Sequence, residues 1–344
     1  MVNIGIALSE VASSAFLQPR DLDRLRAVAT LVPLGVLQAG NLPAALADVD
    51  ILLSSWGQIP LDAAFLAAAP RLRLVAYTAG SVRGFATPEA FNRGVTITTA
   101  MHGNAQAVAD ATSALIILAS KSWFLSQDLI RNQGRAGYDL CRHSFNQPSS
   151  QPGAEPPYLS SEDLTVGLVG FGAIARLVVE RLRFIAPRVV VYDPHVSDAA
   201  LAAAGAERAS SLPELAAQAD IVSVHAPDIP ATRGMCNAAF FEAMRPGTCF
   251  INTARGRLVD EAALIRTLES GRIQAFLDVT EPEPPVADSP LYRLPNCWLT
   301  PHRAGSGGKE LRRMGRLAIE ECLRFIAGQP PLHQVTPAML ATMA

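Results

Sequence analysis

Short apolar runs alternate with amphipathic stretches along almost the whole chain, and this alternation constrains the fold more than any other feature. In the first third, runs at 2–8, 50–53, 72–77 and 95–98 predict strands. Between them lie Ala- and Leu-rich helical segments such as 61–69, which Pro70 stops. A long helical pattern covers 104–132, and a proline- and serine-rich stretch at 147–163 predicts a loop. The alternation then restarts, with strands predicted at 164–169, 189–192, 221–225, 248–252, 274–278 and 298–299 and a last helix at 309–327. Such alternation requires right-handed crossovers, which give parallel sheets covered by helices on both faces. The predicted class is α/β with doubly wound parallel sheets, and 344 residues are enough for two domains.

Composition excludes several kinds of partner. Hydrophobic residues make up 49% of the chain and charged residues 17%, which argues against disorder. The 29 basic and 31 acidic residues leave a net charge of −2, so there is no basic surplus for nucleic acid or an anionic membrane. Lys121 and Lys309 are the two lysines, which removes Schiff-base chemistry from most of the chain. Five scattered cysteines without a CxxC pair fit neither a disulfide framework nor a thiolate zinc site, and no metal is expected. The N-terminal segment has no basic region ahead of its apolar stretch, so it does not read as a signal peptide. The apolar stretch at 105–125 contains Asp110 and Lys121 and reads as a buried helix. A soluble, cytoplasmic protein is expected.

The strongest local signal begins at Thr165. An apolar strand runs into Gly170-Phe171-Gly172-Ala173-Ile174-Ala175 and then into a helix. Gly170 permits the tight turn, Gly172 lets the backbone approach a pyrophosphate, and Ala175 is small enough for helix to meet strand. The helix N-terminus offers N–H groups and a positive dipole end to phosphates. The next strand ends in Asp193, placed to accept hydrogen bonds from ribose hydroxyls and to repel a 2′-phosphate, which favours NAD over NADP. Strand, glycine turn, helix, strand and acid together point to a dinucleotide.

Ligands of such sheets bind outside the carboxyl ends of the strands. That rule singles out His225, Ala226 and Pro227, then Thr253 and Arg255, then Asp278. Hydride transfer also needs a proton donor active near neutral pH, usually histidine beside a carboxylate, and a cation to grip a substrate carboxylate. Arg255 at a strand end, Glu283 five residues beyond Asp278, and His302 directly after a strand supply those types.

With the glycine turn, the stretches INTARG, DVTEPEP and TPHRAG resemble the D-isomer-specific 2-hydroxyacid dehydrogenases, as do AGSVRG at 79–84 and the NAQAVAD segment at 104–110. The resemblance covers essentially the whole chain. It implies two Rossmann-like domains: an NAD-binding domain at 101–301, inserted in a discontinuous, flavodoxin-like substrate domain of 1–100 and 302–344, with the active site in the cleft between them. It implies that His302 is the acid/base, that Glu283 holds its tautomer and favours its charged form, and that Arg255 orients the 2-oxo or 2-hydroxy acid. Gly80 and Ser81 would offer N–H groups to the substrate carboxylate. The cofactor would contact Gly170, Gly172, Ala173, Ile174, Asp193, His225, Ala226, Pro227, Thr253, Ala254, Asp278 and Gly305, with Asp278 facing the nicotinamide carboxamide. A homodimer is also implied.

Some positions depart from the family pattern. Asp110 stands for a glutamate, Thr280 for a common aromatic residue, Arg303 for a common isoleucine, and Ser81-Val82-Arg83 for Gly-Val-Asp. Arg83 prompts the expectation of a second anionic group on the substrate. Two alternatives accompany the main reading: phosphite oxidation by a similar Arg/Glu/His set, and a non-catalytic NAD-sensing corepressor-like protein.

Overall fold

A computed structural model describes residues 1–144, 163–186, 188–340 and 343. The predicted loop at 147–163 lies outside these residues apart from Asp163. The chain divides into two compact units, Met1–Ala107 with Ser306–Ala344, and Val108–Gly305.

The first unit carries strands β1 (Val2–Ala7), β2 (Ala29–Pro33), β3 (Ile51–Ser54), β4 (Leu74–Tyr77) and β5 (Thr96–Thr99). They pair in the order β2-β1-β3-β4-β5, all parallel, with Gln334–Val335 antiparallel beyond β5. This is a flavodoxin-like order. The second unit carries β6 (Thr165–Val169), β7 (Arg188–Tyr192), β8 (Glu207–Arg208), β9 (Ile221–Val224), β10 (Cys249–Asn252), β11 (Gln274–Leu277) and β12 (Cys297–Leu299). Their order is β12-β11-β10-β9-β6-β7-β8, all parallel, as in dinucleotide-binding sheets. The doubly wound α/β class expected from the alternation is therefore present.

Every residue of β3, β4, β9, β10 and β11 is buried, because helices cover both faces; this is why these strands read as continuous apolar runs. Each large apolar side chain so buried contributes about 1.5–3 kcal/mol relative to exposure. In the second unit Phe240, Phe241 and Phe250 pack edge to face, with ring centroids 5.3–6.1 Å apart. All five cysteines are buried.

Each sheet is also stapled at its amino edge. Asp50, just before β3, accepts the Asn3 N–H of β1 at 2.9 Å and pairs with Arg71 at 3.1 Å. Asp220, just before β9, accepts the Thr165 N–H of β6 at 2.8 Å and pairs with Arg245 at 2.6 Å. In both cases a carboxylate caps a strand N–H that would otherwise lack a partner.

The single helix expected at 104–132 is corrected to two, Met101–Ser120 and Trp123–Gln133, bent by 58°. Ser122 takes φ 47 at the break, while the apolar periodicity continues through it without a glycine or proline to mark the change. The strand pattern also omitted β2, a half-exposed edge strand whose alternation is weak. Among the described residues no single helix is long and apolar enough to cross a membrane.

Candidate active site

The second unit places the ends of its parallel strands along one carboxyl edge. At the end of β6, Gly170 has φ +93, and a Cβ there would lie 2.8 Å from the Ala226 N and 2.9 Å from the His225 carbonyl carbon. Glycine is thus required both by the turn and by the β9 loop packed against it. Gly172 has open space where its Cβ would be, and no side chain caps the helix Ala173–Leu182 that follows. The first N–H groups of that helix, from Ala173 and Ile174, therefore have no side-chain cap, and such N–H groups can receive an anion. An uncapped ten-residue helix behind an open glycine is the cradle a pyrophosphate fits.

Asp193, after β7, accepts the Phe171 N–H from the glycine turn and the His195 N–H from its own loop, both at 2.8 Å. Its carboxylate is therefore held beside the turn while lone pairs remain for ribose hydroxyls. After β9, the His225 ring nitrogen Nε2 lies 3.0 Å from the Ser223 hydroxyl, and burial pushes its pKa down to about 4. It is neutral at pH 7 and unsuited to deliver a proton there. Ala226 is buried and Pro227 half-buried beside it.

After β10, Thr253 is buried with its hydroxyl 2.8 Å from that of Thr112. The Asn252 side chain clamps the next turn from beneath: it accepts the Ala254 N–H at 3.0 Å and donates to the Arg255 carbonyl at 2.9 Å. Sequence reasoning passed over Asn252, because nothing local shows which turn a buried amide will hold. Arg255 is half-buried and donates to the Ala254 carbonyl at 2.6 Å. Among the described residues no carboxylate lies within ion-pair distance of it. The neighbouring Gly256 allows this turn to sit against the backbone of Thr280, whose carbonyl atoms would lie 2.1 Å from a Cβ. The turns after β10 and β11 are thereby fixed to one another.

After β12, His302 adopts φ +53, and its Nδ1 lies 2.8 Å from Oε1 of Glu283; both side chains are half-exposed. Asp278, predicted to face a nicotinamide carboxamide, is 4% exposed and turned back under the His302 turn. Gly305 closes the unit, half-buried.

Arg255, Glu283 and His302 thus stand on the turns after three neighbouring strands, β10, β11 and β12. The arrangement offers a histidine whose Nδ1 proton has a fixed acceptor, an arginine without a carboxylate partner among the described residues, and an uncapped helix end on the same sheet edge.

In the first unit, Gly80 and Ser81 follow β4, and the Thr99 hydroxyl donates to the Ala79 and Gly80 carbonyls. Arg83 donates to the Met343 carbonyl at 3.4 Å, toward the C-terminal segment. Asp110, in the second unit, pairs with Arg181 at 2.6 Å, so the shortened side chain still makes an ion pair.

Residues 127–304 match the family model described as the D-isomer specific 2-hydroxyacid dehydrogenase, NAD binding domain. The D-3-phosphoglycerate dehydrogenase of Mycobacterium bovis is 36% identical over 290 residues, which is 84% of this chain and 51% of that protein. The chain spans about half the length of the curated relatives it matches. The D-mandelate dehydrogenase structure from Rhodotorula graminis has a TM-score of 0.83 at 24% identity, covering 97% of both chains, and shows the fold. The NADPH-dependent glyoxylate/hydroxypyruvate reductase of Sinorhizobium meliloti has a TM-score of 0.74 at 25% identity, covering 100% of this chain and 99% of that one.

Proposed function

The chain belongs to the D-isomer specific 2-hydroxyacid dehydrogenase family, and from that premise we propose that it interconverts a 2-oxo acid and a D-2-hydroxy acid with NAD(H). The observation that carries the reading is the 2.8 Å contact of His302 with Glu283, on the same sheet edge as Arg255 two strands away. Glu283 accepts the Nδ1 proton and holds the tautomer, so Nε2 is the nitrogen that exchanges a proton with the substrate oxygen. In reduction His302 gives that proton; in oxidation it takes it. Arg255 grips the carboxylate and polarises the carbonyl. Gly80 and Ser81 are the proposed carboxylate contacts of the first unit. The chemistry supplied by a bound nicotinamide cofactor is hydride transfer at the carbon bearing the oxygen. The uncapped helix behind Gly172 would hold its pyrophosphate and Asp193 its ribose. The acidic side chain of Asp193 supports NAD over NADP. The proposal extends to a homodimer, as the family resemblance implies, and to a cytoplasmic location.

The test is consumption of NADH by the purified protein with glyoxylate, hydroxypyruvate, pyruvate and phenylpyruvate. The expected result is turnover of at least one, with Arg255→Ala lowering kcat/KM at least about 100-fold. Tight NADH binding without turnover on any 2-oxo acid would replace the dehydrogenase by a sensor.

A further inference from the structure

We infer that Asp278 is a positioning residue for His302, whose buried carboxylate holds the turn that aims the imidazole. The inference rests on the reading of His302 as acid/base. Asp278 is 4% exposed, and its carboxylate meets three donors, all from the segment around His302. Oδ1 accepts from the Thr300 hydroxyl at 2.5 Å and from the Arg303 N–H at 2.6 Å, and Oδ2 accepts from the Ala304 N–H at 2.9 Å. The Asp278 carbonyl takes the His302 N–H itself at 2.9 Å, and its own N–H is anchored on the Asn252 carbonyl at 3.0 Å. Residues on both sides of His302 are therefore fixed to one residue at the end of β11.

The backbone conformation explains why such a clamp is needed. His302 is one of two non-glycine residues with positive φ among the described residues, and that region costs an L-residue about 1 kcal/mol or more. A turn in this state persists where its surroundings over-determine it. Three hydrogen bonds to an ionised carboxylate are of the strong, charge-assisted kind, and they offset the cost of burying Asp278. Ala304 is itself buried, so without the carboxylate its N–H would be stranded and the turn would move to find an acceptor. The Glu283 contact fixes the ring and Asp278 fixes the backbone that carries it, so the position of Nε2 depends on both.

Asp278→Asn replaces one acceptor oxygen by an NH2 group facing donors, while Thr300→Val removes one donor and keeps the carboxylate. Both variants of the full chain are to be crystallised and assayed. In Asp278→Asn, His302 is expected to leave φ near +53 and its Nδ1 to separate from Glu283. At saturating NADH, kcat is expected to fall about 100-fold, as for a misplaced catalytic group, while the NADH Kd changes less than about 3-fold. In a His302→Asn background the same substitution should cost less than about 3-fold more, because Asp278 acts through His302. Thr300→Val should show the same split at about 3- to 10-fold, and it decides the matter if Asp278→Asn does not fold. An unchanged His302 turn in both variants overturns the proposal. So does a tenfold weaker NADH Kd with kcat intact. If the parent protein turns over no 2-oxo acid, the dehydrogenase reading fails, and the crystal structures alone still decide whether Asp278 holds the turn.

Discussion

The two units solve one structural problem in the same way and then part at a single position. Both start from an inner strand with an N–H near its start capped by an aspartate opening the next paired strand, Asp50 in one and Asp220 in the other, each tied to an arginine. They differ where the chain leaves the carboxyl end of that central strand. After β1, Ser9 caps the helix Glu10–Phe16, its hydroxyl accepting the Ala12 N–H at 3.1 Å. After β6, Gly172 stands in the cap position with no side chain, and the helix Ala173–Leu182 begins uncapped. One helix end is closed by a side chain; the other is open. A shared architecture therefore says little about activity until the residues at the strand ends are read.

The comparison can be broken most severely at Gly170. Gly170→Val would place a branched side chain at φ +93 and against the backbone of Ala226, and is expected to cost about 3 kcal/mol, seen as a lower midpoint in urea. An equal midpoint would show that the turn is not set by this contact.

The effect of His225 is confined to a pH window. Burial lowers its pKa from 6.5 to about 4, so between those values the unfolded chain binds the proton and the folded one does not. Stability should therefore be full above pH 6.5 and decline by about 1–3 kcal/mol as pH falls toward 4. His225→Gln should flatten that decline, and an unchanged pH profile would contradict it.

Exchanging the caps is the gentlest test. Ser9→Ala should cost about 1 kcal/mol and leave NADH affinity alone. Gly172→Ser, which copies the first unit's cap, should leave stability within about 0.5 kcal/mol but weaken NADH about tenfold by filling the cradle. Equal NADH affinity in both variants would remove the distinction between the two helix ends.

Much of this contrast is legible in the residues. Continuous apolar runs mark strands covered on both faces, and Gly170-Phe171-Gly172 marks the open turn, because these signals lie within a few residues of the structure they specify. Glu283 and His302, named from their motifs, lie within hydrogen-bond distance. What escapes reading is long-range. The destination of the Asp278 carboxylate depends on the turn after β12 folding over it, and Asn252 is an ordinary strand residue until the Arg255 turn closes above its amide. The bend at Ser122 escapes for the opposite reason, since the apolar pattern suits one straight helix and the backbone departs from it.

The most direct test is turnover by His302→Asn beside the parent protein, with NADH binding followed in both. The account predicts that the parent protein oxidises NADH with a 2-oxo acid. In the variant kcat should fall about 10²- to 10⁴-fold while NADH still binds within about 3-fold. Undiminished turnover in His302→Asn would contradict it.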